Sequence, residues 1–199
     1  WKRRCWTGGN AMTINSNSMQ EHDFTLLLDG LQSITPELEE AIFKSGCDDA
    51  TLSLRFGRLF LTFSRTASSL REAIVSAVLA INGCGFGLRV LRVDVCNLVT
   101  QSEIARKIGR SRQLVHQYMI GVRGPGGFPP PACNITENAP LWYWCEVAYW
   151  LWSNDLISQD VLQEAQEVAV VNSVLDLEHQ RQIAPELTKE IMQSLCLCK

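Results

Sequence analysis

Arg112, Gln113, His116 and Gln117 are the residues whose types and spacing are best suited to chemistry, and that chemistry is hydrogen bonding to base edges. A guanidinium can fork onto the O6 and N7 of guanine, a glutamine amide can pair with the N6 and N7 of adenine, and an imidazole can donate. At about 100° per residue these four side chains fall on one arc of a helix, and Leu114, Val115, Tyr118 and Met119 fall on the other. The second arc is expected to pack and the first to face outward. Lys107, Arg110, Ser111 and Arg123 flank the polar arc and are the expected phosphate contacts.

Such a helix needs a second one to hold it. Thr100 and Glu103 have the spacing of a capping box, so a helix is expected to start at Thr100. Ile104 and Ile108 give that helix an inner face, and Ala105 is small enough to admit a close neighbour. Gly109 supplies the positive φ of a short turn, and Ser111 caps the helix that carries the polar arc. Cap, alanine, glycine, cap and polar arc, in that order, read as a helix-turn-helix.

The run Arg123-Gly124-Pro125-Gly126-Gly127-Phe128-Pro129-Pro130-Pro131 cannot be helical, and its three consecutive prolines favour an extended course. After a turn-rich stretch from Asn134 to Pro140, residues Leu141 to Trp144 read as a short strand. Glu146 to Leu151 read as a helix burying Val147, Trp150 and Leu151. Helix, helix, extended loop, strand, helix is the layout of a winged helix-turn-helix. The stretch from about Leu98 to Trp152 resembles the MerR-type winged helix in its short AlpA and excisionase-like branch. Phe128, Pro129 and Pro131 match that family's Phe-Pro-x-Pro wing, and Trp142, Glu146, Val147 and Trp150 match its following strand and helix. The resemblance implies that Arg112, Gln113, His116 and Gln117 enter the major groove and that the loop around Arg123 approaches phosphate or minor groove. Phe128, Trp142 and Trp150 would support the wing. The glycine-rich lead-in is longer than the family pattern. The whole chain also resembles bacterial DNA-binding proteins.

With 199 residues, 46% hydrophobic and 20% charged, the chain can bury one or two small cores. Its net charge of -3 argues against a generic basic nucleic-acid coat, yet the charge is uneven. From Thr100 to Pro125, five Lys or Arg stand against Glu103, a local +4; from Asp155 onward, eight acids stand against three bases, a local -5. This asymmetry would turn one face toward phosphate. The eight cysteines are scattered apart from Cys196 and Cys198, and His22, His116 and His179 fit no ligand pattern, so neither metal nor disulfide framework is expected. No apolar run is long enough to span a bilayer, so no membrane role and a cytoplasmic location are expected. Asn134-Ile135-Thr136 is a glycosylation sequon in spelling alone.

Residues 1–23 are expected to be a disordered tail outside the fold; Lys2, Arg3 and Arg4 lack the apolar run of a secretory signal, and Met12 or Met19 is the expected start. Residues 24–96 form the expected first domain. Phe24 to Asp29 read as a strand, and Thr35-Pro36 opens a helix with Leu38, Ala41 and Ile42 inward, ending at Gly46. Ala50 to Phe56 and Arg58 to Ser64 alternate, with Leu52, Leu54 and Phe56 expected on one face and Leu59, Leu61 and Phe63 on another, about a hairpin at Gly57. Ser69 and Glu72 predict a second capping box, on a helix with Leu70, Ile74, Ala77, Val78 and Ile81 inward; Leu88 to Val95 closes the unit as a strand. This βαββαβ order predicts a ferredoxin-like sandwich, a superfold that hosts unrelated functions. Its candidate site residues are Asp48, Asp49, Arg55 and Arg65, the acids reading more naturally as a solvated turn. Gly83 to Gly87 and Gly124 to Gly127 lack the strand-to-helix placement of phosphate loops and read as turns.

After the winged helix-turn-helix, residues 97–153, an acidic helical segment is expected over 154–199, with Val161, Ala165, Val168 and Leu175 on one face of a helix from about Ser158 to Gln180 and another helix from Pro185. The expected α+β protein binds double-stranded DNA in a sequence-specific way, as a regulator and a homodimer, without cofactor. A protein partner or small effector would bind the first domain. The alternative is a protein-interaction module, such as an antitoxin or phage-type accessory factor, with secondary DNA contact. An enzyme is not expected, because no Ser/His/Asp order, paired His ligands or phosphate loop is present.

Overall fold

The computed structural model describes residues 19–31, 33–136 and 139–195. The basic patch Lys2 to Arg4, Met12, Cys5, Cys196 and Cys198 lie outside the described residues. The protein is α+β: among the described residues it holds a four-stranded antiparallel sheet, a two-stranded sheet and seven helices.

β1 (Gln20–Asp29) pairs with β3 (Arg58–Ala67) and β4 (Arg89–Val93), and β3 pairs with β2 (Ala50–Arg55), giving the order β2-β3-β1-β4. Period-two alternation places Phe24, Leu26 and Leu28 of β1 beside Leu59, Leu61 and Phe63 of β3 on one buried face. Two helices share that core. α1 (Pro36–Lys44) is capped by the Thr35 hydroxyl, which accepts from the Leu38 amide, and buries Leu38 and Ile42. α2 (Leu70–Gly83) buries Ala73, Ile74, Ala77 and Ile81. Each fully buried Leu, Ile or Phe here contributes roughly 1.5–3 kcal/mol.

Several local expectations are corrected. Gln20 to Asp23, expected in a tail outside the fold, are the first residues of β1 and pair with Ser64 to Ala67. Leu52 and Leu54 lie directly opposite Leu61 and Leu59, so they share the core face with them, and Leu54 stays exposed because β2 is an edge strand. Phe56 is not on that face at all: with Gly57 it forms the two-residue turn between paired Arg55 and Arg58, at φ of 51° and 73°, fully exposed. At Ser69 the reciprocal half of the capping box moves by one residue, since the Glu72 carboxylate accepts from the Ser68 amide and hydroxyl.

A short β5 (Leu98–Val99) pairs with β6 (Trp142–Tyr143). Between them run α3 (Gln101–Lys107), α4 (Arg112–Met119) and a long loop, and α5 (Trp144–Trp152) follows at once. These pieces form a second core around Ile104, Val115, Trp142, Val147 and Leu151.

α6 (Gln159–Ile183), capped by Ser158, joins the two cores instead of trailing behind them. Leu162 and Ala165 belong to the second core, while Val168, Val171 and Leu175 pack on the first. Val161, expected inward, is exposed, because the inward stripe runs Leu162, Ala165, Val168, Asn172. Asn172 is buried on the open edge of β4, where its Oδ1 accepts from the Val93 amide at 2.7 Å and its Nδ2 donates to the Val93 and Val95 carbonyls at 3.1 and 2.9 Å. α7 (Pro185–Ser194) ends the described chain and buries nothing.

Asn172→Ala leaves the buried Val93 amide without a partner and removes one donor each from the Val93 and Val95 carbonyls, and is expected to cost about 1–3 kcal/mol in a denaturant unfolding titration. Phe56→Asn, which suits a positive φ and forfeits no buried contact, should raise stability by about 0.5–1.5 kcal/mol in the same titration.

Candidate nucleic-acid interface

α3 begins with a complete capping box: the Thr100 hydroxyl accepts from the Glu103 amide at 3.2 Å, and the Glu103 carboxylate accepts from the Thr100 amide at 2.7 Å. Those bonds hold the Glu103 carboxyl below its ordinary range, the Thr100 amide contributing most. Ile104 and Ala105 are buried, and Gly109 turns the chain at a φ of 61°. Ser111 caps α4 by accepting from the Leu114 amide, which leaves its own proton able to donate. Gln101 of α3, which sequence reasoning passed over, donates from its amide to the Arg112 carbonyl at 2.9 Å and ties the two helices together.

On α4, Val115 and Tyr118 are buried and Leu114 and Met119 are half-buried. Arg112, Gln113 and His116 are exposed together on the opposite side. Gln117 sits at the margin, half-buried, and its carbonyl accepts from the Arg123 amide. Arg106, Arg110, Arg112 and Arg123 are exposed, and none forms an ion pair among the described residues. Lys107 is also exposed and has an aromatic neighbour. Its ammonium lies 5.0 Å from the centre of the Trp144 ring, a cation held by an aromatic face on the side toward α5.

Among the described residues, the loop after α4 pairs with itself only near its end, where Ala132 and Cys133 meet Leu141; its Gly- and Pro-rich run from Arg123 to Pro131 is poor in amide donors, so carbonyls there need outside donors. The indole of Trp150 donates to the Gly126 carbonyl at 2.9 Å, and that of Trp142 donates to the Pro129 carbonyl at 3.2 Å. Phe128 meets Trp150 edge-on at 5.0 Å, and Tyr118 packs against the same indole at 5.3 Å. Gly124, at a φ of 82°, lies so close to Tyr118 that a Cβ would stand 3.1 Å from its ring. Phe128, Trp142 and Trp150 therefore hold the loop, while Arg123 projects from its beginning.

The other candidate residues do not form a site. Arg65 is buried and makes a two-pronged ion pair with Asp49 at 2.7 and 2.8 Å; it also donates to the Gly46 carbonyl and Ser76 hydroxyl and lies over the Phe63 ring. Asp49, expected in a solvated turn, is thus a structural partner. Asp48 is exposed next to it, and Arg55 lies at the hairpin tip. The Arg65 guanidinium hydrogen-bonded to Asp49 holds that carboxyl below the usual aspartate range. Among the described residues no cluster of His, Cys, Asp and Glu could hold a metal ion, and no helix is long and apolar enough to cross a membrane. A scan against protein-family models, a search of curated proteins and a search of solved structures each returned no match.

Asp49→Asn breaks one side of a partly buried ion pair and is expected to cost about 1.5–3 kcal/mol at neutral pH. Because the folded carboxyl is depressed, its contribution is fully present above the ordinary aspartate pKa and is lost as pH falls through the folded value. The gap between parent and Asp49→Asn should therefore close below about pH 4, measured by urea titrations across the acid range.

Proposed function

We propose that the protein is a sequence-specific DNA-binding protein, a transcription regulator, that reads the major groove with α4. The observation that carries this reading is the division of α4: Val115 and Tyr118 fix one side in a core, and the other side offers Arg112, Gln113 and His116 to solvent in the first turns of the helix. A recognition helix uses its N-terminal residues on base edges in this way. Arg110, Ser111 and Arg123 are the phosphate contacts, and Gln117 assists from the margin. Lys107, engaged on Trp144, is set aside as an anchor.

The finer fold reading supports the same role. α3, α4, the indole-held loop and the β5/β6 pair are read as a winged helix-turn-helix of the AlpA-like kind. The order β2-β3-β1-β4, with α1 and α2 in one core, is read as a ferredoxin-like sandwich. The alternative, an interaction module with secondary DNA contact, is favoured by one observation, the exposed apolar side chains of α6 and α7. Stoichiometric co-purification of a different protein would support it.

Selection from a random duplex library at about 0.15 M salt should enrich one motif. Arg112→Ala should relax one position of that motif and cost about 1–3 kcal/mol of binding, whereas Arg110→Ala should weaken all sequences alike and lower the salt slope by about one. Absence of any enriched motif with folded protein would overturn the reading.

A further inference from the structure

The last two helices carry apolar surface that nothing among the described residues covers. On the outer side of α6, Val170, Val174 and Leu177 recur at i, i+4 and i+7, and the two valines are 64% and 61% exposed. Tyr149 of α5 and Tyr143 of β6 stand beside this stripe and complete an elongated open groove, about 520 Å³ at the Tyr149 end and about 530 Å³ at the Leu177 end. Cys145 lines both parts and so marks the middle.

α7 has the matching deficit. Leu187, Ile191 and Leu195, at i, i+4 and i+8, form one apolar face and are 57%, 48% and 62% exposed. A ten-residue helix is marginal by itself and owes its stability to packing of such a face. Yet α7 cannot close the groove of its own chain. Ala184 is both the C-cap of α6 and the N-cap of α7, so the connection contains no loop, whereas antiparallel helix pairs need about two to five linking residues. The hydrogen bonds of α7 side chains reach back no further than Gln180 and Arg181.

We propose that α7 of one protomer seats in the α5/α6 groove of a second copy, and that the second copy returns its α7 in the same way, forming a two-fold dimer. The dimensions agree. The α6 wall of the groove runs from Gln166 to Leu177, about 16 Å at 1.5 Å per residue, and the ten residues of α7 span about 15 Å. Complete covering of the eight apolar side chains would remove at most roughly 800 Å² per protomer, about 1,600 Å² for the pair, an upper bound that falls in the range of a standard interface. Reciprocal seating makes the contact isologous and closes the pair, whereas one-way seating would build an open chain of protomers. The proposal does not rest on DNA binding, although a two-fold pair would present two copies of α4.

The test uses the full chain in sedimentation velocity over about 1–100 µM, at or above the µM-to-pM dissociation constants of interfaces of this area. A dimer is expected, and Ile191→Glu on α7 and Val174→Glu on the groove should each give a monomer with an unchanged circular dichroism spectrum, both positions being solvent-exposed in a single chain. Oxidation of Ile191→Cys should trap an interchain disulfide to Cys145, and the added substitution Cys145→Ser should abolish it. A monomer at every concentration would overturn the proposal. So would a dimer that survives both glutamate substitutions, as sheet-face pairing would, or a cross-link that persists without Cys145, as α7-to-α7 packing would. Loss of DNA binding in a chain that remains dimeric would bear on the recognition reading alone.

Discussion

The side-chain amide of Asn172 is the contact on which the arrangement of the whole molecule depends. β4 is the edge of the main sheet, and its outward backbone groups must find partners or water. One amide with a donor end and an acceptor end meets the Val93 amide and the Val93 and Val95 carbonyls together, something an apolar residue could not do. Those bonds fix the rotation and height of α6 along the edge. With that rotation set, Leu162 and Ala165 face the core built by α3 to α5, and Val168 faces the core built by β1, β3 and α2. Two small cores that would each be marginal alone become parts of one structure joined by a 25-residue helix.

Packing groups and exposed polar groups are kept apart on α4 and its loop. Packing is done by Val115, Tyr118, Trp142 and Trp150, and the exposed polar groups do none of it. The two indoles serve twice, as apolar mass and as donors to the Gly126 and Pro129 carbonyls of the loop. Arg65 works the other way beside the main sheet. It looks like a binding residue in a list of charges, but its guanidinium is committed to Asp49, Gly46 and Ser76 and is structural. An arginine is available to a ligand only where its donors are unpaired, as they are, among the described residues, at Arg110, Arg112 and Arg123.

Periodicity and capping chemistry are short-range, and what they govern could be read directly. Thr100 with Glu103, Gly109, Ser111, Thr35 with Pro36, and the alternation of Leu59, Leu61 and Phe63 each specify a local geometry that tertiary contacts did not change. The errors fall where a neighbour decides. Phe56 continues the alternation of β2, yet the two-residue turn takes it, because the register between Arg55 and Arg58 leaves no other residue for the turn. Asp49 reads as a solvated turn residue, but Arg65, 16 positions later, takes both of its carboxylate oxygens.

By itself, the sequence determined the order and kind of the elements, the two helices after Thr100 and which side of α4 is polar, because helix and strand periods and end caps act over a few residues. Only the tertiary structure decided that α6 is a spine and not a tail, that Asp49 and Arg65 are partners, and that the Trp142 and Trp150 indoles hold the loop. Each of these joins groups distant along the chain whose pairing depends on where whole elements are packed. Asn172 shows why. In the sequence it is a polar interruption of an apolar stripe, and its value exists only once an unpaired strand edge lies against it.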